Sequence, residues 1–249
     1  MKGGRKLRKY GLSGNMLKCI AAVFMVIDHV GVILFPQVLL LRILGRISFP
    51  IFAFMIAQGC RYTRNRCRYF LTMFGVGAVC QAVVYYYNGS RQLNILLTFS
   101  LSVLLVFSFD WFKEQIFAEY PAFSSAFLGA FLLVLLLTGV AVLDQLVDLD
   151  YGGAGCMVPL FAALLHPPKR REGTALHRID HPFVHVLAML PGLVLLSMAD
   201  GGIQYFCLLS LPLLLFYSGK RGKRKMKYFF YVFYPAHLLL IQGVAFLFF

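Results

Sequence analysis

Asp28 and His29 stand side by side in an otherwise apolar run, VFMVIDHVGVI. Arg42 and Arg46 lie four residues apart in LRILGRISFPIFAF, and a further imidazole, His237, follows Pro235 in FYPAHLLLI. Ionisable side chains within apolar spans face a bundle interior or an aqueous cavity and are functional candidates by default. A neutral imidazole is the form a general base requires, so His29 can take a proton from an attacking amine or hydroxyl. Helical neighbours diverge by about 100°. Asp28 is therefore expected to meet Arg46 or His237 from another helix rather than to orient His29. Arg42 and Arg46 share a helix face and can clamp a carboxylate or phosphate. Equally, Asp28 can consume Arg46 and leave Arg42 as an interface anchor. His237 either shapes the site or serves packing beside the carbonyl that Pro235 frees.

Lys18 precedes His29 by eleven residues, nearly three helical turns, so both occupy one stripe about 16 Å apart along the axis. A cation at the inner mouth suits a phosphorylated donor. The competing reading is an interface anchor that snorkels. His177, His181 and His185 recur at helical spacing, but Pro182 interrupts them in a loop, and no metal site is expected. The glycines of DYGGAG lack a strand–loop–helix setting and read as a turn. GxSxG, HExxH and P-loop motifs are absent. Six scattered cysteines form no CxxC pair and behave as small hydrophobes.

The elements that position these groups follow from composition. Sixty per cent of the residues are hydrophobic and only 14% are charged, against about a quarter charged in soluble domains. The pattern predicts an all-α, polytopic transmembrane helix bundle of about nine spans: 16–35, 38–59, 69–87, 93–109, 122–143, 151–166, 183–199, 203–217 and 228–249. Residues 1–15 form a basic cytoplasmic tail, without the cleavage site of a signal peptide, and 16–249 a single transmembrane domain. With the N-terminus inside, the five cytoplasmic segments carry 21 of the 24 Lys and Arg, counting Lys18 with the tail. That asymmetry follows the positive-inside rule and indicates a cell (inner) membrane protein. The net charge of +14 sits in blocks at span ends, such as Lys220–Lys227. It is not spread over an aqueous face, so nucleic acid is excluded as a partner and lipid headgroups are expected. The sixth span is short and holds Pro159, which raises a re-entrant alternative. That alternative would reduce the cytoplasmic Lys and Arg to 11. Asn94, Gln58, Gln81 and Gln242 are expected to be interhelical hydrogen-bond partners.

LKCIAAVFMVIDHVG, LRILGRISFPIFAFMIAQG with its basic sequel, and LLLFYSGKRG…KYFFYVFYPAHLLL resemble the TraX family, known for acetylating the N-terminus of F-type pilin. NILLTFSLS and DYGGAG extend the likeness through the centre, from about Leu17 to Leu240. Lys18, ten residues and then His29 are also similar, more distantly, to the first helix of membrane type-3 acyltransferases. The resemblance implies acetyl transfer from cytoplasmic acetyl-CoA, with His29 catalytic and with Lys18, Arg61 and Arg64 binding the donor.

The expected function is thus a membrane acetyltransferase acting on an acceptor protein or glycan, through an amine or a hydroxyl. Asp28 and His237 would shape its site, and Arg42 and Arg46 would hold the acceptor. Two other classes fit the same residues. One is a proton-coupled transporter using Asp28, His29 and His237 as a relay. The other is a non-catalytic membrane component of a conjugation or pilus system.

Overall fold

The computed structural model describes residues 11–89, 91–118, 122–169, 173–223 and 226–248. Most of the basic tail, Arg170, Arg171, Arg224 and Lys225 lie outside them. Of the described residues 79% are helical, and they contain two isolated bridges but no strand. Among the described residues seven helices are long and apolar enough to cross a membrane, residues 39–62 counted as one. The chain is therefore an all-α polytopic membrane protein. It gathers into two compact units, one of residues 1–55 with 193–249 and the other of residues 56–192.

In the first unit, α1 (Gly14–Ile33) is capped by Ser13, whose hydroxyl accepts from the Met16 amide. α2 (Leu39–Gly45) packs along α1, and α3 begins at Ser48 and runs to Tyr62. The sequence predicts one kinked span here. The structure shows this kink as a two-residue interruption at Arg46 and Ile47 within the span 39–62, because the Pro50 ring conflicts with the carbonyl four residues earlier, at Arg46. The close approach of α2 to α1 depends on glycine: a Cβ on Gly45 would run into the Asp28 carboxylate.

The predicted span 203–217 is a 3-10 helix (Gly202–Leu209) joined to a short helix, Ser210–Leu215. Its start lies beside Arg46, through Gln204. Its end pairs with the start of α1: the Leu12 amide donates to Phe216 O, and Gly14 to Lys220 O, both at 2.8 Å. The segment therefore descends the stretch of α1 from Asp28 to Gly14, about 21 Å. The unit closes with the last helix, Lys227–Phe248, which contains Pro235 and packs on α1.

In the second unit, α4 (Arg66–Asn88) and α5 (Ile95–Ile116) are joined by polar contacts. Asn94 caps α5 through Leu96 and donates to Gly77 O at 2.8 Å, while Gln81 accepts from the Asn94 amide at 2.9 Å. These two residues are the interhelical partners expected of them. α6 (Phe123–Leu146) is the least buried of the long helices and turns Phe127, Val134 and Leu135 outward, as lipid solvent permits.

α7 (Gly152–Ala163) is shorter than a span, yet it runs beside α5 from end to end. Leu93 exchanges backbone hydrogen bonds with Asp148 and Asp150. Twenty residues on, about 30 Å along α5, the Lys113 ammonium donates to Ala163 O and His166 O, both at 3.0 Å. This geometry favours a crossing over a re-entrant hairpin. Val103 and Val106 of α5 and Cys156, Val158 and Ala162 of α7 are fully buried. The short α8 (Ala175–Arg178) precedes α9 (Pro182–Asp200). In chain order the short helix Ser210–Leu215 is then α10 and the last helix α11.

One boundary is corrected. The apolar run ends at Phe109, which predicts that 110–121 is a cytoplasmic loop. Instead α5 continues to Ile116, with Asp110 and Lys113 buried within it. They satisfy each other at 3.1 Å, so the helix proceeds past charges that would otherwise mark its end.

Candidate functional site

The first unit brings together the residues singled out in its apolar spans. Asp28 on α1 accepts from Arg42 at 2.6 Å and, through both its oxygens, from Arg46 Nη2 at 2.9 and 2.8 Å. Arg42 and Arg46 are one helical turn apart on the end of α2, so both reach the same carboxylate. The side chains of Asp28 and Arg46 are 13% and 11% exposed and that of Arg42 27%. Both arginines are thus gathered by Asp28, whereas the sequence offered either a clamp or the loss of Arg46 alone. One carboxylate between two guanidiniums leaves a net single positive charge. Arg46 Nη1 also donates to Gln204 Oε1 at 3.2 Å.

Asp28 does not orient His29. The next residue along the helix points elsewhere, as a 100° step requires, and meets His237 of α11. Their rings are 4.9 Å apart, edge to face, with His237 Nε2 3.3 Å from His29 Nδ1. The backbone assigns the protons. His237 Nδ1 lies 2.9 Å from Phe233 O and donates to it, so its Nε2 carries a lone pair. His29 Nδ1 lies 2.8 Å from Met25 O and is likewise the protonated nitrogen. It is shared between that carbonyl and His237. His29 Nε2 keeps its lone pair, and among the described residues no hydrogen bond occupies it. Phe233 stacks on the His237 ring at 5.2 Å and fixes its plane. The sequence could not pair these histidines, which are 208 residues apart.

Lys18, on the stripe of His29, places its ammonium 5.7 Å from the centre of the Phe230 ring. The other proposed donor ligands belong to the second unit. Arg64 is exposed between α3 and α4. Arg61 is gripped in a two-pronged pair by Asp180, at 2.7 and 2.5 Å.

Asp180 also lies 3.4 Å from His185, whose ring meets His166 at 4.6 Å, and Gln58 is 3.4 Å from His166. Sequence reading missed His166, Asp110 and Lys113. His166 sits at the last residue of a predicted span, and the i, i+3 spacing of Asp110 and Lys113 was the one available sign that they could share a helix. Lys169, in the loop after α7, donates to Cys60 O at 3.4 Å. Partial desolvation, then the nearby Arg66, lower its pKa below the usual lysine value. His177, in α8, contacts the Thr174 hydroxyl, the Phe183 amide donates to His181, and His185 is buried within α9. All six cysteines are free.

Comparison with known proteins gives a match to the family described as TraX protein over residues 13–245. The "Uncharacterized protein RP591" of Rickettsia prowazekii (strain Madrid E) is 45% identical over 40 residues, 16% of each chain. The "Probable fimbrial assembly protein FimC, serogroup H1" of Dichelobacter nodosus is 23% identical over 258 residues, covering 94% of this chain and 96% of that protein. No solved structure matches.

Proposed function

The chain belongs to the TraX family, and from that premise we propose that it is a membrane-embedded acetyltransferase moving an acetyl group from acetyl-CoA to an amine or hydroxyl acceptor. The family and the fimbrial-assembly relative suggest a pilus- or conjugation-associated membrane protein, and the cell (inner) membrane is the location this reading assigns to it. A pilin-like N-terminus is accordingly the first acceptor to try. The observation that carries the reading is the His29–His237 pair within apolar helices, with the lone pair of His29 Nε2 uncommitted.

His29 Nε2 removes the proton from the attacking nitrogen or oxygen as it bonds to the acetyl carbon. The carbon–sulfur bond breaks, and the same proton passes from His29 to the departing thiolate of CoA. His237 accepts a hydrogen bond from His29 Nδ1–H and steadies the ring while Nε2 is protonated. The excess positive charge of Asp28, Arg42 and Arg46 favours negative charge developing at the carbonyl oxygen. Lys18, and Arg61 with Arg64, are the cations to test for the phosphates of CoA.

Labelled acetyl-CoA supplied to membranes tests this. Wild-type protein should transfer label to an acceptor, and His29→Ala should not. Equal labelling in both would end the idea. Resistance of the label to hydroxylamine distinguishes an amide from an ester.

One observation favours a second reading. Asp28 engages both guanidiniums, through Arg42 Nη1 and Arg46 Nη2, as in a network that only fixes helix packing. A non-catalytic component of a fimbrial or conjugation assembly would then keep its function after His29→Gln.

A further inference from the structure

Gln204 stands in DGGIQYFCLL, where Gly201 and Gly202 adopt positive φ of 64° and 51° and turn the chain into a 3-10 helix. It is 2% exposed in an otherwise apolar segment. Its two ends are chemically distinct and their assignment is forced. Arg46 can only donate, so the carboxamide must turn its oxygen towards the guanidinium, as the 3.2 Å contact shows. Flipping the amide would set N–H against N–H. Nε2 therefore points away from Arg46, and there it is buried with no hydrogen-bond partner among the described residues. Polar groups buried away from water are normally satisfied, and an unsatisfied one calls for an explanation.

Arg46 links Gln204 to Asp28, the residue adjoining His29. The orphan is a neutral, rigidly aimed donor on a network with surplus positive charge, which suits an acceptor-only group. We infer that Gln204 Nε2 donates a hydrogen bond to a carbonyl oxygen of a substrate, making Gln204 a further substrate-binding residue of this site. The inference rests on the acetyltransferase reading. Two substrates bring such an oxygen: the thioester of acetyl-CoA and the amide groups of a peptide acceptor.

The test uses purified full-length protein in lipid nanodiscs, with acetyl-CoA and a short peptide bearing a free N-terminus. Wild type, His29→Gln, Gln204→Glu and Gln204→Met are compared. Gln204→Glu keeps an oxygen for Arg46 and removes the donor, whereas Gln204→Met removes both. Removing one such donor is expected to lower kcat/KM by about 100-fold, with Gln204→Glu as impaired as Gln204→Met. A fall in kcat identifies the thioester carbonyl, and a rise in peptide KM identifies the acceptor's. If one variant fails to fold, the other carries the comparison, since both lack the donor. A folded variant within twofold of wild type overturns the inference and leaves Nε2 to a bound water. Absence of transfer by wild type removes the acetyltransferase reading and this inference with it. An active wild type with an unimpaired variant removes this inference alone.

Discussion

Asp28 accepts from both Arg42 and Arg46, and these neighbours rank by how far they are withdrawn from solvent. Arg46, with an 11% exposed side chain, makes two contacts to the carboxylate, whereas Arg42 at 27% makes one. Removing one partner of a buried pair costs about 3–5 kcal/mol, most of it from the charge left behind, while exposed pairs are worth about 0–1 kcal/mol. Arg46→Gln is therefore expected to lower thermal stability in detergent more than Arg42→Gln. Equal losses would contradict the ranking. Gly45→Ala should be harmful although it adds a single methyl, because the Cβ would occupy the place of the Asp28 carboxylate. Its expected signature is lost stability that Asp28→Ala partly relieves. The meeting of Asp28 with Arg46 was legible because only oppositely charged groups make each other tolerable in an apolar span. The meeting of His29 with His237 was not: imidazoles need no such partner, and residue type alone does not say which helices are neighbours.

At the scale of elements, most apolar runs were legible as helices because seven of them, among the described residues, reach bilayer length. The boundaries that failed are those where side chains compensate an irregularity. Lys113 is the clearest case. It answers Asp110 within α5 and supplies donors to the two carbonyls at the end of α7, so one residue lets the first helix run long and the second stop short. Lys113→Met should destabilise the second unit by about 3 kcal/mol, within the range for breaking a buried pair. Adding Asp110→Asn should recover part of the loss, so the double variant is less damaged than the sum of the singles. Additive losses in thermal unfolding would show that the pair is not coupled. The interruption between α2 and α3 was foreseen as a kink at Pro50. Proline chemistry locates the disturbance near Arg46, but whether a helix bends or parts depends on what receives the freed groups.

For the whole molecule, charge distribution remains the guide to topology. The short α7 runs beside α5, and the 3-10 segment with the helix after it reaches from Arg46 to the start of α1, as expected of crossings within each unit. Single cysteines replacing Lys169 or Lys223 in a cysteine-free background should be shielded from an impermeant thiol reagent in intact cells. A cysteine at Arg91 should react. Labelling at Lys169 from outside would favour a re-entrant α7.

The central claim is that His29 transfers a proton during acetyl transfer. Its most direct test is the rate of free CoA release, matched against acetylated amine, for purified wild-type and His29→Gln proteins of equal thermal stability. The account predicts one CoA per acetyl group transferred by wild type and a loss of at least about 100-fold on substitution. Comparable rates from the two proteins would contradict it.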